Sequence, residues 1–399
     1  MRLRRGWGSG VAALGGFSPL SLFTASEPGF WYDPSDMTTL FQDSAGSTPV
    51  TATGQPVGLV LDKRLGLVPG AEKVSNGTFD TNVTGWSVGP LSGTPSWSAG
   101  EMLVTVNVPN GRAQTTLSGM TVGATYRLTA TMRVVTPSGG SWAWIGVSAS
   151  GLGVSEFVQT TSATNVTLTR TFTADATTMI LVAGDNSGTS GAVFAFDDIS
   201  VKEIPGNHAS QSTAGSRPVL QQVGANYCLR FDGVDDFLVT GTITPGVDKA
   251  QVFAGVTGNA SDGMICEFSA DLNSSAGAFF LYNNNGASRY EFQSRGSLAG
   301  SASTSARTAP DTAVIAAQSD IATDANSIRQ DAVAGTPSAV DQGTGNFLAY
   351  PAYIGRRGGT TLPFNGDIYS MIVRFGANLT ADQISATESY VAGKTGVTL

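Results

Sequence analysis

Charged side chains are scarce in this chain. Only 13% of its 399 residues are Asp, Glu, Lys or Arg, and 22 basic residues against 30 acidic ones leave a formal net charge of −8. A nucleic-acid partner needs a basic footprint, so this composition argues against one, and equally against docking on anionic lipid. Histidine occurs once, at His208, and cysteine twice, at Cys228 and Cys266, which excludes a Cys/His cluster of the zinc type. The cysteines are expected as buried free thiols: Tyr227, Leu229 and Phe231 share one face of a strand, which turns Cys228 to the side of Arg230. No apolar run approaches the roughly 18 residues of a membrane-spanning helix, so no membrane insertion is expected. Three catalytic signatures are missing as well. There is no G-x-S-x-G elbow, no phosphate-binding glycine loop with its Lys-Ser/Thr partner, and no E-x-D-x-x-E strand face of the kind that places two carboxylates across a glycosidic bond. Asp232, Asp235 and Asp236 are expected to build a tight turn, and no enzymatic activity is expected.

What is abundant is glycine, 50 residues of it, with hydrophobic residues at 41%. Many turns between short strands are the expected result, and the fold class is all-β with one C-terminal helix. Period-two alternation recurs between residues 102 and 201. Tyr126, Leu128, Ala130, Met132 and Val134 alternate with Arg127, Thr129, Thr131 and Arg133, and Ala143, Ile145 and Val147 alternate with Trp142, Trp144, Gly146 and Ser148. Asn283-Asn284-Asn285-Gly286 reads as a hairpin turn, whereas Asp331-Ala332 stands where a tight turn favours Asp-Gly. Near the end Thr380 and Gln383 form a capping box, Ile384 and Val391 mark the apolar face of a helix, and Gly393 is the expected stop.

Two resemblances organise these strands. Residues 55–63, QPVGLVLDK, and the later GNHASQ (206–211) and LRFDGVDDFL (229–238) resemble the laminin-G-like (concanavalin A-like) family, in which a strand ending in D-K runs directly into G-N-H-A. Here about 140 residues separate the two halves. The intervening NGTFDTNVTGW (76–86), GMTVGATYRLTATMRV (119–134) and FAFDDISVKE (194–203) resemble the start, middle and end of jelly-roll carbohydrate-binding modules of the galactose-binding-like fold. Two β-sandwiches are therefore expected, with a jelly roll over 73–203 inserted in a loop of a discontinuous sandwich made of 28–66 and 206–399. Residues 1–27 are expected to form a Gly-rich N-terminal arm. Its Trp7, Phe17, Leu20, Leu22 and Phe23 would be buried against other chains.

The candidate binding residues lie in the insert. If Ala143, Ile145 and Val147 fill the core face, Trp142 and Trp144 project from the opposite face, where indoles either stack on sugar rings or are covered by another strand, loop or subunit. Arg127 and Arg133 also leave the core face and are expected to border the same surface. Resemblance to the jelly-roll modules implies a structural calcium ion shared by Asp80 and Asp197 or Asp198. The opening residues 21–63 resemble structural proteins of tailed phages. That resemblance implies a virion protein, a tail or head fibre component bound to other virion proteins through its arm, present in several copies and facing host-surface polysaccharide. A secreted, extracellular adhesin is the alternative.

Overall fold

The computed structural model describes residues 17–89, 91–188, 190–269 and 274–399. The chain is all-β apart from short 3-10 turns and the helix Ala381–Thr395. Four antiparallel sheets form two sandwiches. One sandwich packs a nine-stranded sheet against an eight-stranded one whose centre is Asn365–Phe375, paired with Asn226–Asp232, Lys249–Gly258 and Gly29–Tyr32. Its core includes Phe30, Phe231, Phe268, Phe279, Phe292 and Phe375. The other sandwich has two five-stranded sheets and a separate core that contains Phe79, Trp86, Tyr126, Phe194 and Phe196.

The strands on either side of the jelly roll belong to one sheet. Leu59–Val60 precedes the jelly roll, Ala209–Ser210 follows it, and the two pair with each other. The chain enters and leaves the jelly roll side by side, with the Gly70 amide donating to the Glu203 carbonyl at 2.9 Å and Glu72 bridged to Lys202. Alternation explains the jelly-roll strands: Thr125–Thr136 buries Tyr126, Leu128, Ala130, Met132 and Val134 and leaves the residues between them half-exposed. Strands that follow one another do not always share a sheet, however, and Thr125–Thr136 and Ala143–Ser148 lie in different ones. Thr125–Thr136 lies between Val166–Thr173 and Val193–Glu203, in what we term the Thr sheet. Ala143–Ser148 lies between Glu156–Thr160 and Thr178–Gly184, in the Trp sheet.

Three local expectations are corrected. The helix runs through Gly393 and closes at Gly396, which takes φ 79° at the C-cap, while the Thr380–Gln383 capping box is present. Asp331-Ala332 does make the tight turn, with φ 50° and 62°. It is held by the Asp331 carboxylate accepting from the Val314 amide at 2.7 Å and by the Ala332 carbonyl accepting from Arg329. Residues 17–27 are not a free arm. Leu22 is buried beside Trp31, Ile372 and Val391, and Phe17 meets Tyr390 edge-on. Arg374, itself buried, donates to the Leu22 carbonyl at 2.8 Å and pairs with Glu27. Trp7 lies outside the described residues. Cys228 and Cys266 are both free and buried.

Candidate functional site

Where the two sandwiches join, a buried polar knot holds the chain. Asp62 is fully buried and accepts from the amides of Trp31 (2.9 Å), Arg64 (2.9 Å) and Asn207 (2.8 Å), with the Arg64 guanidinium at 3.2 Å. Its own amide donates to His208 Nδ1 at 2.9 Å, so the other ring nitrogen, Nε2, carries the hydrogen and donates to the Ile204 carbonyl at 2.9 Å. Burial pulls the His208 pKa down to about 4, with Arg127 and Arg64 acting in the same direction against the Ile204 hydrogen bond. Burial pushes Asp62 up to about 6 against its three amide donors and Arg64.

The two shifts oppose each other. The neutral histidine favours folding above its unfolded pKa of about 6.5, and that stability is lost as pH falls toward 4, a contribution of roughly 3 kcal/mol. The Asp62 contribution runs the other way: it is present at low pH and lost as pH rises through 6. His208→Gln removes only the first effect. The wild-type advantage in melting temperature over this variant should therefore be larger at about pH 7 than at about pH 4.5. An unchanged difference across that range would contradict the assignment.

On the outward side of the Trp sheet, Gln159, Trp144, Gly184 and Arg112 stand directly opposite one another on four adjacent strands. Gly184 has no side chain, and a Cβ there would meet the Gly111 carbonyl oxygen at 2.3 Å. Arg112 therefore reaches over the gap, its guanidinium carbon 4.4 Å from the centroid of the Trp144 indole. Phe157 packs on the same indole at 5.6 Å; its strand partner is Gly146, where a Cβ would meet Val154 and Phe157. Trp144 is thus 0% exposed, and its Nε1–H has no hydrogen-bond partner among the described residues. Of the two readings for the outward indoles, Trp144 takes the covered one, which corrects its place among the candidate binding residues: it leaves the core, as alternation requires, but is covered by its own sheet. Trp142, just before the strand, is 39% exposed.

Arg127 and Arg133 belong to the Thr sheet, so they point away from the opposite side of the jelly roll and cannot border the same surface as the indoles. Arg133 is engaged bidentately by Glu101 and donates to Asn165 at 2.7 Å. The Glu101 carboxylate holds the Arg133 pKa above its usual value. Arg127 is half-buried at the junction of the two sandwiches, its guanidinium 5.7 Å from the Phe41 ring centroid, and desolvation lowers its pKa. Hydroxyl pairs line the same sheet, Thr131 with Thr167 at 2.8 Å and Thr129 with Thr169 at 3.3 Å.

The three acids proposed for calcium are not gathered as a set. The only three acids of the described residues whose carboxylate oxygens lie within 4.8 Å of one another are Asp232, Asp235 and Asp236. Those three hold their own turn, accepting from the amides of Val234, Asp235 and Asp232 and from the Ser216 hydroxyl. Asp80 accepts from the Thr78 hydroxyl at 3.1 Å, and Asp197 accepts from the Asp198 amide at 2.8 Å. Asp198 sits at φ 47° where the strand Val193–Glu203 shifts register. Burial raises the Asp197 pKa, and the negative charge of Asp198, Glu101 and Asp80 adds to the rise, a field that a cation would relieve.

No protein-family model and no curated protein matches the chain. Among solved structures it is similar to a CBM4 structure, with 18% identity over 33% of this chain and 99% of that one at a TM-score of 0.27. It is also similar to the Ruminococcus gnavus IT-sialidase CBM40, with 17% identity over 36% of this chain and 84% of that one at 0.29. A third likeness is to the N-terminal CBM22-1-CBM22-2 tandem domain of Paenibacillus barcinonensis Xyn10C, with 9% identity over 82% of this chain and 100% of that one at 0.32. At these scores the likenesses decide neither ligand nor activity for this chain.

Proposed function

We propose that this chain is a non-catalytic glycan-binding protein, a fibre-like component of a tailed-phage virion that meets host-surface polysaccharide through its jelly roll. The observation that carries the glycan reading is Trp142, a large indole left 39% exposed at the start of a strand whose next indole is fully covered. An exposed indole presents an apolar ring face to a sugar, and one such contact contributes on the order of 1 kcal/mol. A single copy should bind weakly, and several copies on one particle would raise avidity. The virion reading is supported by the resemblance of residues 21–63 to phage structural proteins. A secreted adhesin is the second reading, and the packing of residues 17–27 on their own sandwich favours it, because that stretch is then not free to anchor the chain to a neighbour.

Trp142→Ala should reduce retention of the oligomeric or particle-bound protein on host polysaccharide roughly fivefold or more, the equivalent of losing about 1 kcal/mol. The side chain is partly exposed, so the fold should persist. Undiminished binding by the folded variant would remove Trp142 from the site. A calcium ion held by Asp197 with Asp80 or Asp198 belongs to the same proposal. Adding calcium after chelation should then raise the melting temperature of wild type and not of Asp197→Ala, and equal curves for wild type with and without calcium would discard it.

A further inference from the structure

A crevice of about 730 Å³ lies between the two sandwiches, against the jelly-roll edge where the Trp-sheet strand Glu156–Thr160 meets the Thr-sheet strand Val166–Thr173, and Trp142 is not among the residues that line it. That volume is typical of small-molecule sites, which favour domain junctions. Its floor is the loop carrying Ser44 and Ala45. This loop is braced from within, since the Asp43 carboxylate accepts from the amides of Ser47 and Thr48 and from the Ser47 hydroxyl. It also clasps the jelly roll, where the Thr171 amide and hydroxyl both donate to the Ala45 carbonyl, at 2.6 and 2.7 Å. One wall is the jelly-roll edge with Glu156, Arg170 and Thr173, and the other carries Asn207, Ser210 and Ser212, with Thr242 and Thr244 at the rim. The knot at Asp62 and His208 anchors that second wall. The crevice is therefore preformed by contacts from both sandwiches.

Its chemistry selects a ligand class. Among the described residues that line it, Glu156 and Arg170 are the charged ones, and they neutralise each other through an ion pair at 2.7 Å. Both ring nitrogens of His208 are already used. The remaining polar lining is hydroxyl and amide, groups that donate and accept alike, with small apolar surfaces at Val122 and Leu59. An anion would find no unpaired cation there, and an apolar ligand would leave the hydroxyls unsatisfied. We propose that this crevice is a second saccharide site, taking one or two rings of a neutral sugar and built jointly by the two sandwiches. It is independent of the Trp142 surface. It has no exposed aromatic face, since Phe172 is buried in the jelly-roll core, so affinity rests on hydrogen bonds and falls in the millimolar range.

Ligand-observed saturation-transfer NMR on the full chain tests this with three probes, lactose, maltose and cellobiose, at millimolar concentration. At least one should receive saturation from wild type. The signal should be lost in Gly241→Trp, because a Cβ at Gly241 meets nothing within 4 Å and the indole can extend into the crevice. Ser212→Trp blocks the same wall from a second, exposed position and should give the same loss, which covers the case in which the first variant does not fold. Trp142→Ala should keep the signal. Absence of transfer from wild type to any of the three sugars, or transfer undiminished in a folded crevice-blocking variant, overturns the proposal whatever Trp142→Ala does. Conversely, polysaccharide retention lost in Trp142→Ala and kept in Gly241→Trp leaves the jelly-roll reading standing by itself.

Discussion

Removal of residues 1–27 should destabilise the larger sandwich by roughly 5 to 7 kcal/mol, measured as the loss in unfolding free energy in urea. Two losses add. Arg374 is buried with its guanidinium shared between Glu27, the Leu22 and Ala377 carbonyls and the Gln251 side chain. Deleting Glu27 and Leu22 leaves a buried cation short of its carboxylate, a change that typically costs about 3 to 5 kcal/mol. Leu22 also leaves a cluster with Trp31, Phe253, Ile372 and Val391, worth about 2 kcal/mol of apolar burial. The cluster lies between the helix Ala381–Thr395 and the eight-stranded sheet, so the helix should loosen with it. Glu27→Gln keeps Leu22 in place and should show only the part of the loss that belongs to the carboxylate. A truncated protein that unfolds at the same urea concentration as the full chain would show that this segment only rests on the surface.

Excision of residues 68–203, with a short Gly-Ser link in their place, should leave the larger sandwich cooperatively folded. The ends to be joined are adjacent, as the Gly70–Glu203 hydrogen bond and the Glu72–Lys202 bridge show. The core around Phe231, Phe268, Phe279 and Phe375 contains no jelly-roll residue. The strand pair Leu59–Val60 and Ala209–Ser210 flanks the cut and does not cross it. What is lost is cover: the guanidinium of Arg127 over Phe41 and the Thr171 clasp on Ala45. Uncovering part of the small cluster of Phe41, Leu59, Leu61 and Leu67 should cost about 2 to 3 kcal/mol. A broad, non-cooperative melt of the excised protein would mean that the two sandwiches fold as one unit.

The strands themselves were legible because burial alternates residue by residue, as Tyr126 to Val134 and Ala143 to Val147 show. The turn at Asp232 to Asp236 and the capping box were legible because their hydrogen bonds are local. The partners of the outward side chains were not. Nothing at position 144 announces that Gly184 will stand beside it and Arg112 beyond, since that alignment arises from two long-range registers. The glycine was the available signal: a strand residue without a side chain beside an outward indole invites a neighbour to cross. Arg127 and Arg133 were placed on the wrong side for a related reason. Alternation tells which residues leave the core, but not which of two sheets a strand joins. The arm misled through composition: its glycines suggest a tether, while Leu22 and Glu27 have partners in residues 253, 372 and 374, some 230 positions or more away.

The most direct measurement compares the full chain with the protein lacking 68–203 on immobilised host-surface polysaccharide, each presented at equal copy number and each shown to be folded by its melt. The full chain should be retained and the excised protein should pass through, because Trp142 is lost with the jelly roll and one wall of the crevice goes with it. Equal retention of the two proteins would place glycan recognition in the larger sandwich and contradict the account.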